Sequence, residues 1–258
     1  MKIQKLVHPY WQQLSGKNAK PKIFFLHIPK CGGVSFNQAI RNSYGNRWEQ
    51  EEYCFSLDGN AARRCSQLLG EDRNEYRKKI LAYVMSLDRY KYIHGHFAYS
   101  EKIYQEFGDE WNFVTLLRHP VAQWFSQYFY DRRAESEVRI DEELSTFIES
   151  ERATLMGNTY VRKLTEGFSL TEAASEAAIK QAIENLNKFA LVGVLEKIDS
   201  SIANYQQIFG TSLTLKQLNK NPTSKSEQQK KITPEIHKKV EEICQPNLKV
   251  YRAAIEKF

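Results

Sequence analysis

The sequence predicts one α/β domain in which helices flank a parallel central sheet. Three observations indicate this fold. Short apolar segments rich in strand-forming residues recur along the chain, polar and amphipathic segments of helical length separate them, and 258 residues suffice for one such domain with a sizeable core. Strands that alternate with helices pair in parallel, because each crossover returns the chain to the same end of the sheet.

The individual elements follow from the apolar runs and from the residues that interrupt them. Strands are expected at residues 23–27, 92–94, 112–117 and 190–194. Helices are expected at residues 35–43, 120–132, 141–151, 170–187 and 198–209, and two more begin near 233 and 246. Ser35 is expected to cap the first helix, and Pro120 to stand in the first turn of the second. Residues 44–90 are polar and charged, with helix expected in their second half.

The chain is expected to be a single domain, residues 1–258, that starts with an extension at residues 1–22. This extension has only scattered apolar residues and so does not resemble a signal peptide. No run of about 18 apolar residues occurs, so no membrane span is expected and the predicted location is cytoplasmic. Residues 219–231 are polar and lysine-rich, which predicts an exposed loop that is either a lid over a bound nucleotide or a passive surface segment.

Composition and charge restrict the class of protein. Hydrophobic residues make up 41% of the chain and charged residues 26%, which excludes extensive disorder. The formal net charge of +6 favours an anionic partner, although it also fits an ordinary soluble surface. The four cysteines include no C-x-x-C pair, so no zinc or thioredoxin-type site is expected. We interpret them as reduced thiols, while the sequence alone leaves a Cys54–Cys65 bridge open.

The most informative segment is HIPKCGGVS at residues 27–35, between the first predicted strand and the first predicted helix. Glycines let backbone amides approach an anion closely, and the helix N-terminus adds free N–H groups and a positive dipole end. Lys30 supplies a mobile charge, and Ser35 supplies a hydroxyl donor. The lysine precedes the glycines, so this is not a Walker A loop. The pattern predicts a phosphate-binding loop; the alternative is a tight turn with a surface lysine.

A second candidate site begins at Arg118, directly after the predicted strand at residues 112–117. Ligands bind at this edge of open α/β sheets, and a guanidinium group suits phosphate through paired hydrogen bonds. Ser126 follows about two helical turns later and could face the same crevice. The alternative is a structural arginine that caps a helix or pairs with an acid.

Two histidines mark a third candidate site. His94 and His96 stand at i and i+2 at the end of the predicted strand at 92–94, so their side chains point to the same side. One of them is expected to act as a general base near neutral pH. The alternatives are a metal pair, for which no third ligand has suitable spacing, or two buried structural histidines. His27 and His119 are rival candidates for the base.

Taken in this order, the loop at residues 27–35 and the segment Leu117-Arg118-x-Pro120-Val121 with Ser126 resemble the nucleotide-dependent sulfotransferases, and more narrowly the glycan sulfotransferases. The resemblance is strongest over residues 23–132 and continues more weakly through residues 185–194 and 198–209. In that family the first motif holds the 5′-phosphosulfate of the donor, and the arginine and serine of the second hold its 3′-phosphate. The resemblance therefore implies donor contacts from Lys30, Cys31, Gly32, Gly33, Val34, Ser35, Arg118 and Ser126.

The segment His94-Gly95-His96 is similar to a motif of the uronosyl 2-O-sulfotransferases, in which the second histidine is the base. This similarity implies His96 as the base and His94 as its support. Lys30 is the third expected catalytic residue, because its ammonium group can neutralise the charge that builds on the leaving phosphate oxygen. The implied fold is a P-loop-like, nucleotide-binding sulfotransferase fold. The implied enzyme moves a sulfuryl group from 3′-phosphoadenosine 5′-phosphosulfate (PAPS) to a hydroxyl acceptor, leaves 3′-phosphoadenosine 5′-phosphate (PAP), and needs no metal.

The acceptor expected from the resemblance is a carbohydrate, and an acidic one is an option. Residues 44–90 and 133–169 are the long inserts expected to line its site. Six arginines could contact an acidic sugar or be solvated surface charges: Arg47, Arg63, Arg64, Arg132, Arg133 and Arg162. Two other classes stay open, a nucleotide-dependent phosphotransferase and a non-enzymatic binder of nucleotide or nucleic acid. The missing Walker A order disfavours the first, and the scattered lysines disfavour a nucleic-acid partner.

Overall fold

The structure is a computed structural model of the chain and describes residues 20–135, 137–169, 171–216, 228 and 230–257. Within this part of the chain, five parallel strands form one sheet. The strands are β1 (Ile23–Leu26), β2 (Cys54–Ser56), β3 (Tyr92–Gly95), β4 (Asn112–Leu117) and β5 (Leu191–Val194). Their order across the sheet is β2-β3-β1-β4-β5. The predicted α/β fold with a parallel central sheet is confirmed.

Helices alternate with the strands along the chain and flank the sheet. They are α1 (Gly33–Ser43), α2 (Arg47–Tyr53), α3 (Gly59–Leu68), α4 (Arg73–Met85), α5 (Glu101–Phe107), α6 (Pro120–Asp131), α7 (Leu144–Phe147), α8 (Glu151–Gly157), α9 (Thr159–Leu164), α10 (Glu176–Leu186), α11 (Ile198–Phe209), α12 (Pro234–Ile243) and α13 (Gln245–Lys257). Short 3₁₀ helices occur at Glu172–Ala174 and Leu195–Lys197. Parallel strands require such crossover connections, which also cover the apolar faces of the sheet.

The central strand β1 organises both faces of the sheet. It is fully buried and pairs with β3 on one side and β4 on the other. Phe24 and Leu26 belong to the hydrophobic cluster on one face, and Ile23 and Phe25 belong to the cluster on the opposite face. This alternation is the two-residue period of a strand. After β1, the chain first forms β2 and β3 on one side of it and then β4 and β5 on the other. The carboxyl end of β1 is therefore a topological switch point, the place where open α/β sheets bind ligands.

A further hydrophobic cluster holds α6 beside the sheet. The buried indole N–H of Trp124 donates to the carbonyl of Ala153 at 2.9 Å, and its ring centroid lies 5.8 Å from that of Phe147. The same cluster includes residues of α7, α8 and α12. It therefore fixes α6, whose first turn follows the carboxyl end of β4.

Two helix predictions need correction. Ser35 does not cap α1, because the helix begins at Gly33 with Gly32 as its N-cap and with no side-chain cap. The prediction of a single helix at residues 141–151 is wrong, because within this range only α7 (Leu144–Phe147) is helical before α8 begins at Glu151. Ser150 separates them, because its hydroxyl accepts a hydrogen bond from the Ala153 N–H and so starts a new helix.

Residues 44–90 contain a strand that the sequence did not predict. This strand, β2, pairs with β3 at the edge of the sheet, and α2, α3 and α4 occupy much of the remaining insert. The helix predicted at residues 170–187 begins later, at Glu176, where Ser175 caps it. The other predicted strands are present, and α6 begins at Pro120 and α12 at Pro234 as expected.

The structure also bears on the cysteines and the chain ends. Cys54 and Cys65 are free thiols, so no bridge joins them. Residues 219–227 and 229, which form most of the predicted lid or surface loop, lie outside the described residues, as do residues 1–19 of the predicted extension. Of the helices that the structure describes, none has both the length and the apolar character needed to cross a membrane.

Candidate active site

The loop at residues 29–35, called here the glycine loop, leaves the carboxyl end of β1 and enters α1. Gly32 has a φ of 80°, and a Cβ there would lie 2.6 Å from Cδ1 of Leu195. A Cβ at Gly33 would lie 2.3 Å from the ring of His27. Both glycines therefore allow the backbone to approach neighbouring side chains more closely than any other residue would.

The first turn of α1 offers backbone donors to an anion. No side chain caps this helix, and its first turn contains no acidic residue. Gly32, Gly33, Val34 and Ser35 all line a large cleft at this edge of the sheet. The N-terminus of a helix carries the positive end of its dipole, so this turn can bind an oxyanion through N–H groups.

Cys31 points away from the cleft and supports the glycine loop from behind. Its side chain is fully buried, with Sγ 3.4 Å from the hydroxyl of Tyr160. Burial raises the pKa of this thiol to about 12, so the thiol stays neutral. The Tyr160 hydroxyl also donates to the carbonyl of Arg118 at 2.5 Å and accepts from the Arg118 N–H at 3.2 Å. One tyrosine therefore joins the backbone after β4 to the loop after β1.

Arg118 follows β4 and lies against the glycine loop. Its Nη1 donates to the carbonyl of Lys30 at 3.2 Å, and Gln123 of α6 donates to the carbonyl of Pro29 at 3.1 Å. Ser126, one turn further along α6, lines the same cleft as Arg118. The two candidate phosphate motifs of the sequence are therefore neighbours in the structure.

The Lys30 side chain lies at the mouth of the glycine loop. Its Nζ is 3.8 Å from the centroid of the Tyr130 ring, a cation–π contact. Burial, followed by the nearby charge of Arg118, lowers the pKa of the Lys30 ammonium. The carboxylate of Asp131 acts in the opposite direction but does not cancel this lowering, so an anion near Lys30 and Arg118 would be stabilised by both.

His96 has a hydrogen bond that defines its tautomer. Its Nδ1 lies 2.8 Å from the carbonyl oxygen of His27. A carbonyl can only accept, so the neutral ring carries its proton on Nδ1, and Nε2 is left with a lone pair. His96 lines the cleft, and burial lowers its pKa below the ordinary histidine value. The ring is therefore neutral at pH 7 and able to accept a proton.

His27 and His94 form a stacked layer beneath this site. The His27 ring centroid lies 4.6 Å from that of His96 and 6.2 Å from that of His94. His94 stacks in turn on Tyr92 at 6.0 Å, and unlike His96 it does not line the cleft. Burial lowers the pKa of His27 to about 3 and that of His94 to about 4. Both rings are therefore neutral and packed at pH 7.

This histidine layer predicts a loss of stability in acid. In the unfolded chain histidines become protonated near pH 6.5. In the folded chain His94 stays neutral down to about pH 4 and His27 down to about pH 3. The unfolded state therefore binds more protons as pH falls through 6.5, and each of these two half-buried histidines should remove about 2 kcal/mol of unfolding free energy by pH 5. Urea unfolding at pH 7 and pH 5 measures this change.

Two variants separate the histidine layer from other titrating groups. In His94→Gln, the loss of unfolding free energy between pH 7 and pH 5 should shrink by about 2 kcal/mol relative to the wild type. The matched control is His237→Gln, since His237 is exposed. Equal pH dependence in both variants would contradict the buried neutral state of His94.

The cleft brings most of the predicted site residues together. It has a volume of about 2720 Å³ and is lined by the glycine loop, Arg118, Ser126 and His96. The side chains of His94 and Cys31 do not line the cleft. Of the six arginines considered for an acidic sugar, Arg133 and Arg162 line the cleft and the other four do not. Three of those four form ion pairs elsewhere: Arg47 with Glu51, Arg63 with Glu137 and Arg132 with Glu143.

Sequence reasoning missed several residues of this site. Tyr160 and Gln123 hold the two loops together but belong to no recognisable motif. Arg77 and Lys163 approach the backbone of His96 from α4 and α9. No local pattern marks these residues, because distant helices bring them to the cleft. Within the described residues, no group of three or more His, Cys, Asp or Glu side chains is arranged to hold a metal ion.

The fold and the cleft together define a class of protein. It is an α/β protein with a parallel sheet, and its cleft at the carboxyl edge of the sheet is lined by a glycine loop and a histidine. No protein-family model matches the sequence, and no curated protein is significantly similar to it. Among solved structures, the chain is similar to a sulfotransferase from Alicyclobacillus acidocaldarius, with a TM-score of 0.43 and 14% identity over 93% of this chain and 98% of that one. At this level of similarity, function has to be argued from the site itself.

Proposed function

We propose that the protein is a sulfotransferase that moves a sulfuryl group from PAPS to a hydroxyl group of an acceptor, with a carbohydrate as the expected acceptor class. One observation carries this proposal. A single cleft combines an oxyanion-binding glycine loop, a second cationic site at Arg118, and a neutral histidine with a free Nε2. Nucleotide binding and proton removal can therefore occur side by side.

The residues present fit the proposed donor. A Cβ at Gly32 would collide with Leu195 and one at Gly33 with His27, so these glycines are needed for the path of the loop. The first turn of α1 has no side-chain cap, so its amides can bind a phosphate. The loop residues 30–35 are assigned to the 5′-phosphosulfate. Arg118 and Ser126 are assigned to the 3′-phosphate, because both line the cleft on the β4 side of the loop. A donor with two separate anionic groups suits these two neighbouring sites.

The protein groups then have separate chemical tasks. His96 takes the proton of the acceptor hydroxyl at Nε2, because Nδ1 is already engaged by the His27 carbonyl. Lys30 neutralises the negative charge that develops on the departing phosphate oxygen. The loop amides hold the reacting group in line with the acceptor. Most of the acceleration comes from positioning and electrostatics, as in the related phosphoryl transfers.

A binding panel separates this proposal from the two other classes. Thermal shifts are measured with PAP, with ATP and magnesium, and with a single-stranded oligonucleotide. The proposal expects stabilisation mainly by PAP, by about 2.7 kcal/mol at a concentration of 100 Kd. Preferential stabilisation by ATP with magnesium would favour a phosphotransferase, and stabilisation by the oligonucleotide alone would favour a nucleic-acid binder.

The assignment of the 3′-phosphate site gives a specific prediction for Arg118→Ala. The variant should bind PAP more weakly by about 1.5–3 kcal/mol, the contribution of a charge-assisted hydrogen bond. Its affinity for adenosine 5′-phosphosulfate should barely change, since that ligand has no 3′-phosphate. Isothermal calorimetry with both ligands measures the difference.

The second ligand also controls for an indirect effect of the substitution. Arg118 donates to the Lys30 carbonyl, so its removal could loosen the glycine loop. A loosened loop would weaken both ligands equally, and that result would count against the assignment. Arg132→Ala is the matched control, because Arg132 bonds to Glu143 outside the cleft. This variant should bind both ligands with wild-type affinity.

A further inference from the structure

Four basic side chains, called here the cationic cluster, line the cleft beside His96: Arg73, Arg77, Arg162 and Lys163. Two of them converge on the backbone of the proposed base. Nη1 of Arg77 donates to the His96 carbonyl at 2.9 Å, and Nζ of Lys163 donates to the same oxygen at 3.3 Å. These two hydrogen bonds anchor Arg77 and Lys163 beside the residue proposed as the base.

The acidic groups nearby do not neutralise the cluster. Glu75 and Glu166 line the same cleft, and both bind Lys78, at 2.8 Å and 2.7 Å. The Asp72 carboxylate accepts hydrogen bonds from backbone amides at the start of α4. Across the described part of the chain, no carboxylate lies within ion-pairing distance of any member of the cluster.

One member of the cluster is buried and incompletely bonded. Arg77 is only 8% exposed, and its Nε has no hydrogen-bond partner. A buried charge without an anionic partner is unfavourable, and so is the assembly of several like charges. Burial, with the neighbouring cations as the next cause, lowers the pKa of Arg77 and Arg162, and that of Lys163 to about 7. The three arginines therefore carry most of the charge of the cluster at pH 7. An anion in the cleft would relieve this repulsion.

The position of the cluster separates it from the proposed nucleotide contacts. His96 follows β3 and Arg118 follows β4, and these strands flank β1 on opposite sides. The cluster is anchored to the His96 carbonyl, on the β3 side of the glycine loop. The 3′-phosphate site, by contrast, is assigned to the β4 side. The cluster therefore lies on the opposite side of the glycine loop from the residues assigned to the 3′-phosphate.

We infer that the cationic cluster binds an oxyanionic group of the acceptor, so that the substrate class is an anionic hydroxyl compound rather than a neutral one. The inference rests on the proposed function, and it refines the acceptor of that reaction. Arginine is suited to this task because its planar guanidinium binds carboxylate, sulfate or phosphate oxygens in pairs. Holding the anionic group at the cluster would place a neighbouring hydroxyl beside Nε2 of His96.

The test uses inorganic pyrophosphate as the anion, titrated calorimetrically into protein saturated with PAP. The wild type should bind it, and Arg73→Gln/Arg162→Gln should bind it at least about tenfold more weakly. The control is Arg47→Gln/Arg64→Gln, which removes two exposed positive charges outside the cleft. The control should bind pyrophosphate as the wild type does. Equal binding by all three proteins, or no binding by the wild type, would overturn the inference.

Competition then identifies the chemistry of the anion. D-Glucuronate or glucose 6-phosphate should displace pyrophosphate, whereas glucose should not, and the stronger competitor distinguishes a carboxylate from a phosphate ester. Displacement by glucose as effective as that by the charged sugars would contradict a charge-based site. If PAP itself fails to bind, the proposed function fails, but the pyrophosphate titration without PAP still tests the cluster.

Discussion

Replacing His96 by alanine is expected to lower turnover by about 10²- to 10⁴-fold, the usual contribution of a general base. An acceptor hydroxyl has too high a pKa to attack unaided near pH 7, and Nε2 of His96 is the ring nitrogen left free by the bond to the His27 carbonyl. Affinity for PAP should hold, because the ring of His96 bonds to residue 27, and Arg118, Gln123 and Tyr160 still hold the glycine loop. Steady-state turnover and calorimetry measure the two quantities.

The His96 variant needs controls at the other candidate histidines. His119→Ala tests the rival beside Arg118, and the exposed His237 supplies a neutral comparison. Both variants should keep most of the wild-type rate. If His96→Ala keeps its rate while His119→Ala or His27→Ala loses it, the base has been assigned to the wrong histidine.

The pH dependence of the wild type provides an independent test of the same assignment. Burial lowers the pKa of His96, so its neutral form persists below pH 6.5. The value of kcat at saturating acceptor, which does not report acceptor binding by Lys163, should therefore stay level from pH 8 to about 6.5 and decline only at lower pH. A decline that begins well above pH 6.5 would be inconsistent with this buried imidazole.

Replacing Lys30 by methionine is expected to lower turnover by about 10²- to 10³-fold, the effect of removing one electrostatic donor from a transition state. Methionine keeps an unbranched stem and removes the ammonium group. It also adds no new backbone strain, because Lys30 already adopts a positive φ of 64° with a Cβ present. Single-turnover kinetics at saturating PAPS measure the loss in the chemical step.

A control variant separates this effect from a general change in charge. Lys180→Met removes an exposed lysine whose only described ion pair is with Glu184 at 3.9 Å, and it should leave turnover unchanged. The unfolding free energies of Lys30→Met and Lys180→Met should both be close to that of the wild type. A folded Lys30→Met protein with near wild-type turnover would refute the catalytic assignment of Lys30.

Much of the fold could be predicted because each long strand is a continuous apolar run between turn residues. β4 is such a run, NFVTLL, with one polar residue at its start and a buried threonine within it. β2 was missed because it has only three residues, one of them exposed, and forms through pairing with β3. The helix at residues 141–151 was extended wrongly, since Ser150 fits both a helix interior and an N-cap.

The candidate site could be predicted only where its residues lie within one local motif. The glycine loop, Arg118 and His96 each adjoin the end of a strand, so their convergence follows from the parallel sheet. Arg77 and Lys163 look like ordinary surface charges in the sequence. Their approach to His96 depends on how α4 and α9 pack, which no local pattern encodes.

The hydroxyl of Tyr160 has a consequence for ligand selectivity. Because this one group bonds to both backbone atoms of Arg118 and touches Cys31, it sets the spacing between the loops after β1 and β4 before any ligand arrives. Under the proposed function each loop holds one phosphate of the donor, so this spacing should distinguish positional isomers. Two phosphates at the wrong separation could not reach both loops together. Bisphosphate nucleotides that carry the second phosphate on the 2′ oxygen would then satisfy only one loop, and the discrimination would come from distance rather than from any contact with the ribose.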